Sequence, residues 1–152
     1  MTRLLTFAFL LCASTIALAD DAARMHELAT AHRQRNGLPV QALDAGLCRL
    51  AQRHAEAQAA SRSMWHSNYG ITENVANGYS VDGTIAAWVA SSGHNANLLS
   101  RFSHCGFGYS RGFAASLHGR PYTGPDRTPS PGATPKPVQP LRRIITWRII
   151  RR

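Results

Sequence analysis

The sequence predicts one α+β domain. Helical periodicity runs through its first part, a loop rich in glycine and asparagine follows, and strand-like alternation ends the patterned region. The 152 residues suffice for a single hydrophobic core.

Residues 1–19 stand outside that domain. Arg3 supplies a positive start, Leu4 to Leu11 a short apolar run, and Ala17-Leu18-Ala19 a small-residue cleavage site. Together these predict a secretory signal peptide cut near Ala19, and hence a secreted or periplasmic protein. The apolar run is too short to cross a membrane. Leu11, ahead of Cys12, does not fit lipoprotein processing. Cleavage leaves Cys48 and Cys105, and two cysteines in an exported chain predict a disulfide between them, the alternative being two separate buried thiols. A bridge across so long a loop would contribute about 4 kcal/mol.

The elements follow in order. Met25, Leu28, Ala29 and His32 fall at i, i+3, i+4 and i+7, which predicts a helix over 21–36. Asn36-Gly37 ends it, with Pro39 beyond. Asp44 is a candidate N-cap for a second helix reaching about Ser61. Its stripe is Leu47, Leu50, Ala51, His54, Ala55 and Gln58, rich enough in alanine for close approach. His54 on that face reads as a hydrogen-bonded histidine at the core edge. Ser61 to Ser80 reads as an ordered loop, broken at Gly70 and Gly78 and anchored by Trp65, Tyr69, Ile71 and Val75. Asp82 is expected to cap a third helix that carries Ile85, Trp88 and Val89 and ends at Gly93. Asn95 to Ser100 allow one further turn. Ser103, Cys105, Phe107 and Tyr109 then alternate with Phe102, His104, Gly106 and Gly108. This is a strand whose glycine face suits a helix packed on it, and Phe113 to Leu117 is its expected partner.

After Tyr122 the composition changes. Pro125, Pro129, Pro131, Pro135, Pro137 and Pro140 break regular structure, so 123–152 reads as a linker or disordered tail. The abrupt shift resembles an out-of-frame reading of a GC-rich gene. Residues 141–152 mix isoleucine with arginine, which fits an amphipathic membrane-surface segment or a tail without a selected role. The formal charge is +9, almost all of it arginine, with Lys136 the only lysine. No basic stripe interleaved with aromatics appears, and export also argues against a nucleic-acid partner.

Chemistry-bearing side chains concentrate in His66 to Ala76 and in Trp88 to Asn97. Two neutral imidazoles, His66 and His94, suit a divalent transition metal, with Glu73 as a third ligand or as a base toward bound water. The alternative is loop histidines bonded to backbone. Asn74 and Asn97 also fit turn-stabilising roles. No HExxH helix is present.

The series Asn36-Gly37-Leu38-Pro39, His66, Glu73-Asn74-Val75-Ala76-Asn77-Gly78, Trp88 to His94, Asn97 and Gly106-Phe107-Gly108-Tyr109 resembles the CAP superfamily. These are the cysteine-rich secretory, antigen 5 and pathogenesis-related proteins; the chain resembles their compact bacterial SCP-like branch over residues 22–122. The resemblance implies an α-β-α sandwich with a small antiparallel sheet between helical layers. It also implies a cleft with two histidines and two acidic residues. His66, Glu73 and His94 match three of these positions, and Ser91 stands at the second acidic one. The resulting cleft of His66, Glu73, Ser91 and His94 implies a two-histidine site for zinc, another divalent ion or a small ligand. With one carboxylate fewer, calcium is disfavoured. Two other functions compete. One is a metal-assisted hydrolase of the protease or cell-wall class, with Glu73 as the catalytic base. The other is a module for lipid or membrane surfaces, as some eukaryotic relatives suggest. The expected partner is a small ligand, a lipid or a cell-envelope component, and the chain is expected to be a monomer. Thr123-Gly124-Pro125-Asp126-Arg127 replaces the strand with which the family usually continues, so the last strand of the sheet is expected to be absent or disrupted.

Overall fold

The computed structural model describes residues 20–131. The expected signal peptide at 1–19 and the Ile/Arg-rich end at 141–152 lie outside them. In chain order the elements are helix α1 (residues 20–35), strand β1 (Ala42–Leu43), helix α2 (Ala45–Ser61), β2 (Thr72–Asn77), α3 (Val81–Ala90), α4 (Ser92–Leu98), β3 (His104–Ser110) and β4 (Phe113–Gly119). The strands form one sheet in the order β1-β3-β4-β2. β4 pairs antiparallel with β3 and β2 along its full length, while the two-residue β1 runs parallel to β3. The α+β sandwich is as expected, except that β1 makes the sheet mixed. Between residues 120 and 131 there is no further strand, only an isolated bridge between Ser67 and Pro131. Among the described residues no helix is long and apolar enough to cross a membrane.

Alternation along the strands separates two cores. On one face Phe107, Cys105, Ala114 and Ala76 pack with Met25 and Ala29 of α1, Ile85 and Trp88 of α3, and Leu98 of α4. On the other, Val75, Ala115 and Leu117 meet Leu47, Leu50 and Ala51 of α2, with Tyr69 at the side. Gly106 and Gly108 face α2. A Cβ at Gly106 would collide with the backbone of Leu47 and Cys48, and one at Gly108 with that of Ala51 and Gln52. The helix therefore lies backbone-close on the sheet.

Local signals explain most element boundaries. Asp44 caps α2 by accepting from the Leu47 amide at 2.7 Å. Gly37 takes φ +70° after α1. The β3–β4 hairpin turns through Arg111 (φ +50°) and Gly112 (φ +85°), the left-handed pair that matches strand twist. Three boundaries differ from the sequence reading. Ser80, not Asp82, caps α3, and the Asp82 carboxylate instead pairs with Arg24 of α1. The helix stops at Ala90, and Gly93 lies inside α4. The segment read as a loop up to Ser80 contains β2, whose residues 73–76 are all buried.

The expected disulfide is not formed, and Cys48 and Cys105 are free thiols. The alternation that turns Gly106 toward α2 turns Cys105 to the opposite face, while Cys48 rides on α2. Burial, and then the proximity of Cys48, push the Cys105 thiol up to about 12.

Two buried polar groups brace the α1 side. The Arg33 guanidinium, 2 % exposed, donates to the carbonyls of Leu98 at 2.7 Å, Ser100 at 2.8 Å and Pro39 at 2.9 Å. A cation thus closes the C-terminal end of α4. His118, 1 % exposed, donates from Nδ1 to Gln41 Oε1 at 3.1 Å and accepts at Nε2 from the Ser116 hydroxyl at 3.0 Å. The Gln41 amide in turn donates to Phe102 O at 2.9 Å, which identifies its oxygen as the acceptor toward His118. This network satisfies a neutral imidazole. Burial, and then Arg33, lower His118 to about 4.

Replacing Gly108 by alanine should destabilise the fold by about 3 kcal/mol, because strand and helix backbones must separate; urea denaturation with an unchanged m-value checks this. His118 sets a pH dependence. The unfolded chain takes up a proton near pH 6.5 and the folded one only near pH 4. Stability should fall as pH drops through this window, by about 3 kcal/mol in all. Thermal melts from pH 7 to 4 should show a drop that His118→Gln largely removes.

A carboxylate between two imidazoles as the candidate functional site

Glu73 lies on β2 with its side chain directed toward α2, and it is 8 % exposed. Oε1 accepts from His54 Nδ1 at 2.8 Å, and Oε2 accepts from His66 Nδ1 at 2.9 Å and from the Ser67 amide at 2.9 Å. Burial alone would raise this carboxyl. The hydrogen bond and charge of His54, followed by the Ser67 bonds, more than reverse that and leave it below the usual carboxylate range. An ionised carboxylate only accepts, so both histidines carry their proton on Nδ1. His66 is thereby oriented with its Nε2 lone pair unspent.

His54 is fully buried, under the Trp65 ring at a centroid separation of 4.5 Å. Gln58, one turn further along α2, accepts from the Trp65 amide at 3.3 Å. His54 Nε2 and Gln58 Nε2 have no hydrogen-bond partner among the described residues.

His94 comes from the other side. Asn74 donates from Nδ2 to the His94 carbonyl at 3.1 Å, and Asn97 donates to Asn74 Oδ1 at 2.9 Å and to Glu73 O at 3.2 Å. These two amides stitch α4 to β2 and place His94 by its backbone. The His94 imidazole is held below the ordinary histidine range, first by burial and then by the neighbouring His66. Ser91 joins α3 to α4. Together with His94, Trp88, Met64 and Tyr79 it lines a cavity of about 300 Å³.

The four residues expected in the cleft thus divide into two groups. Glu73 and His66 form a direct pair, while His94 and Ser91 line the adjoining cavity, Ser91 without a side-chain hydrogen bond at its helix end. His54 enters the site as a buried partner of Glu73, a role its place on the α2 stripe did not disclose. Asn74 and Asn97 stabilise a contact between elements, not local turns.

The imidazoles near the cleft are those of His66 and His94. Among the described residues no cluster of three or more His, Cys, Asp or Glu side chains is arranged to hold an ion. Glu73 accepts from three donors and stands behind His66. A carboxylate bonded to the far nitrogen of a histidine is the usual outer support of such a ligand.

The profile of the Cysteine-rich secretory protein family, CAP, matches residues 26–117, more than half of the chain. Three solved structures are similar. The first is an extracellular protein containing an SCP domain from Bacillus anthracis, with a TM-score of 0.60 and 23 % identity, covering 68 % of this chain and 41 % of that one. The second is an outer surface protein of Borrelia burgdorferi, with a TM-score of 0.58 and 17 % identity, covering 66 % and 93 %. The third is a cysteine-rich secretory protein from Staphylococcus aureus, with a TM-score of 0.53 and 15 % identity, covering 66 % and 38 %. The chain spans about two fifths of the length of the Bacillus protein. No curated protein matches the sequence. At these identities the structures share the fold, and the profile match, running from α1 through most of β4, shows that the chain belongs to the CAP family.

Proposed function

We propose that this is an exported CAP domain whose cleft binds a divalent metal ion, zinc foremost, or a small ligand through His66 and His94. The observation that carries this reading is the anchoring of His66 Nδ1 on Glu73, which presents Nε2 as a fixed lone pair. His94, kept neutral by burial and by its neighbour, offers the second imidazole. Two protein ligands leave coordination positions for water or for a donor atom of a ligand lodged in the adjoining cavity. Export is supported by the leader-like pattern at residues 1–19 and by the descriptions of the Bacillus and Borrelia relatives as extracellular and outer-surface proteins.

The hydrolase reading is less well supported. A general base needs a free lone pair and a pKa near the working pH. Glu73 accepts three hydrogen bonds and sits below the carboxylate range, so its chemistry is to orient His66.

Zinc titration by calorimetry on the mature protein should give one site. His66→Ala and His94→Ala should each abolish the heat. Glu73→Gln should weaken binding about 10- to 100-fold, since only the support behind His66 changes. Unaltered zinc heats in both histidine variants would remove the site from this cleft.

A further inference from the structure

We infer that residues 122–131, which follow the sheet, act as a strap that sets His66 and the Ser67 amide against Glu73, with Arg127 as the positioning residue. The strap is held at its near end by α2. The Tyr122 amide donates to Asp44 Oδ1 at 3.2 Å, and the Asp126 carboxylate accepts from Arg49 Nε at 3.1 Å and Arg53 Nη2 at 2.8 Å. Its far end is tied to the segment that carries His66. Arg127 donates from Nη1 to Tyr69 O at 3.0 Å and from Nη2 to Asn68 O at 3.2 Å, with its guanidinium carbon 5.4 Å from the centre of the Tyr69 ring. The Asn68 amide donates to Ser130 O at 3.0 Å, and Pro131 is bridged to Ser67.

These ties matter because the 66–69 segment belongs to no strand or helix. Without the strap, its remaining hydrogen bonds to the rest of the protein are the Trp65 amide on Gln58, the Tyr69 hydroxyl toward Leu50 O and the bonds to Glu73 themselves, beside the packing of the Tyr69 ring at the core edge. A backbone with so few partners samples many conformations. The strap satisfies the carbonyls of Asn68 and Tyr69 with one planar guanidinium, a two-point contact that a lysine cannot reproduce. Arg127 touches neither imidazole, and it acts on His66 through the backbone between them.

The inference concerns the geometry of the metal-free site, and only its last readout rests on the metal reading. The test compares Arg127→Ala and Arg127→Lys with wild type in the full mature chain. In metal-free protein, Arg127→Ala should lower hydrogen-exchange protection of the Ser67 amide about tenfold. It should also shift the His66 Nδ1 resonance toward the free-imidazole value, while the amides of Leu117 and Phe107 in the sheet stay as protected as before. Arg127→Lys keeps the charge and should recover only part of both signals. Zinc affinity should fall in parallel with the loss of Ser67 protection. Unchanged Ser67 protection and His66 resonance in Arg127→Ala, or full recovery in Arg127→Lys, would overturn the inference. If wild type binds no zinc, the metal reading fails and the two metal-free readouts still decide the role of the strap.

Discussion

The backbone-to-backbone approach of α2 on Gly106 and Gly108 is the constraint on which the rest depends. Side chains at those two positions would hold the helix further from the sheet. His54 projects from the middle of α2 and reaches Glu73 on β2 across a gap that a single hydrogen bond closes. Lifting the helix would break that bond and leave an ionised carboxylate buried with less compensation. The two glycines therefore do more than pack the core, because they fix the distance at which a charged group inside it is tolerated.

Glu73 then organises the surface above it. One oxygen is spent on the buried imidazole of His54 and the other on the half-buried one of His66 and on a backbone amide. His66 thus inherits its orientation from the core. His94 inherits its place from a different mechanism, the Asn74–Asn97 amide pair that ties α4 to the same strand. The supports of the two histidines are thus anchored on neighbouring residues of β2, Glu73 and Asn74, one side chain pointing to each face of the sheet.

Much of this was legible in the sequence where periodicity and cap chemistry speak directly. The stripe of α2, its Asp44 cap, the glycine face of β3 and the hairpin partner at 113–117 all follow from spacing. The site residues His66, Glu73 and His94 stood out by type and by family pattern. β2 was hidden because its polar residues, Glu73 and Asn74, are buried by partners far along the chain, and local hydrophobicity does not register such partners. His54 was placed on the correct face, but nothing local indicated that its bond would go to a carboxylate 19 residues away. Arg33 escaped notice for the same reason, as its carbonyl acceptors on Leu98 and Ser100 lie more than sixty residues further on. The cysteines show the opposite error. Compartment and count predicted a bridge, whereas the two-residue alternation of β3 turns one thiol away from the helix that carries the other.

The open side of β2 carries a further consequence. Its outward carbonyls, Glu73 O and Val75 O, are taken by the Asn97 amide and the Trp88 indole N–H at 3.2 and 3.1 Å. A strand added at that border would find these acceptors occupied and two helices in its path. The same contacts that assemble the histidine cleft thus blunt a sheet border that would otherwise template pairing with another chain. Variants that loosen α3 and α4 would lose the cleft and gain a tendency to polymerise through the sheet in one step.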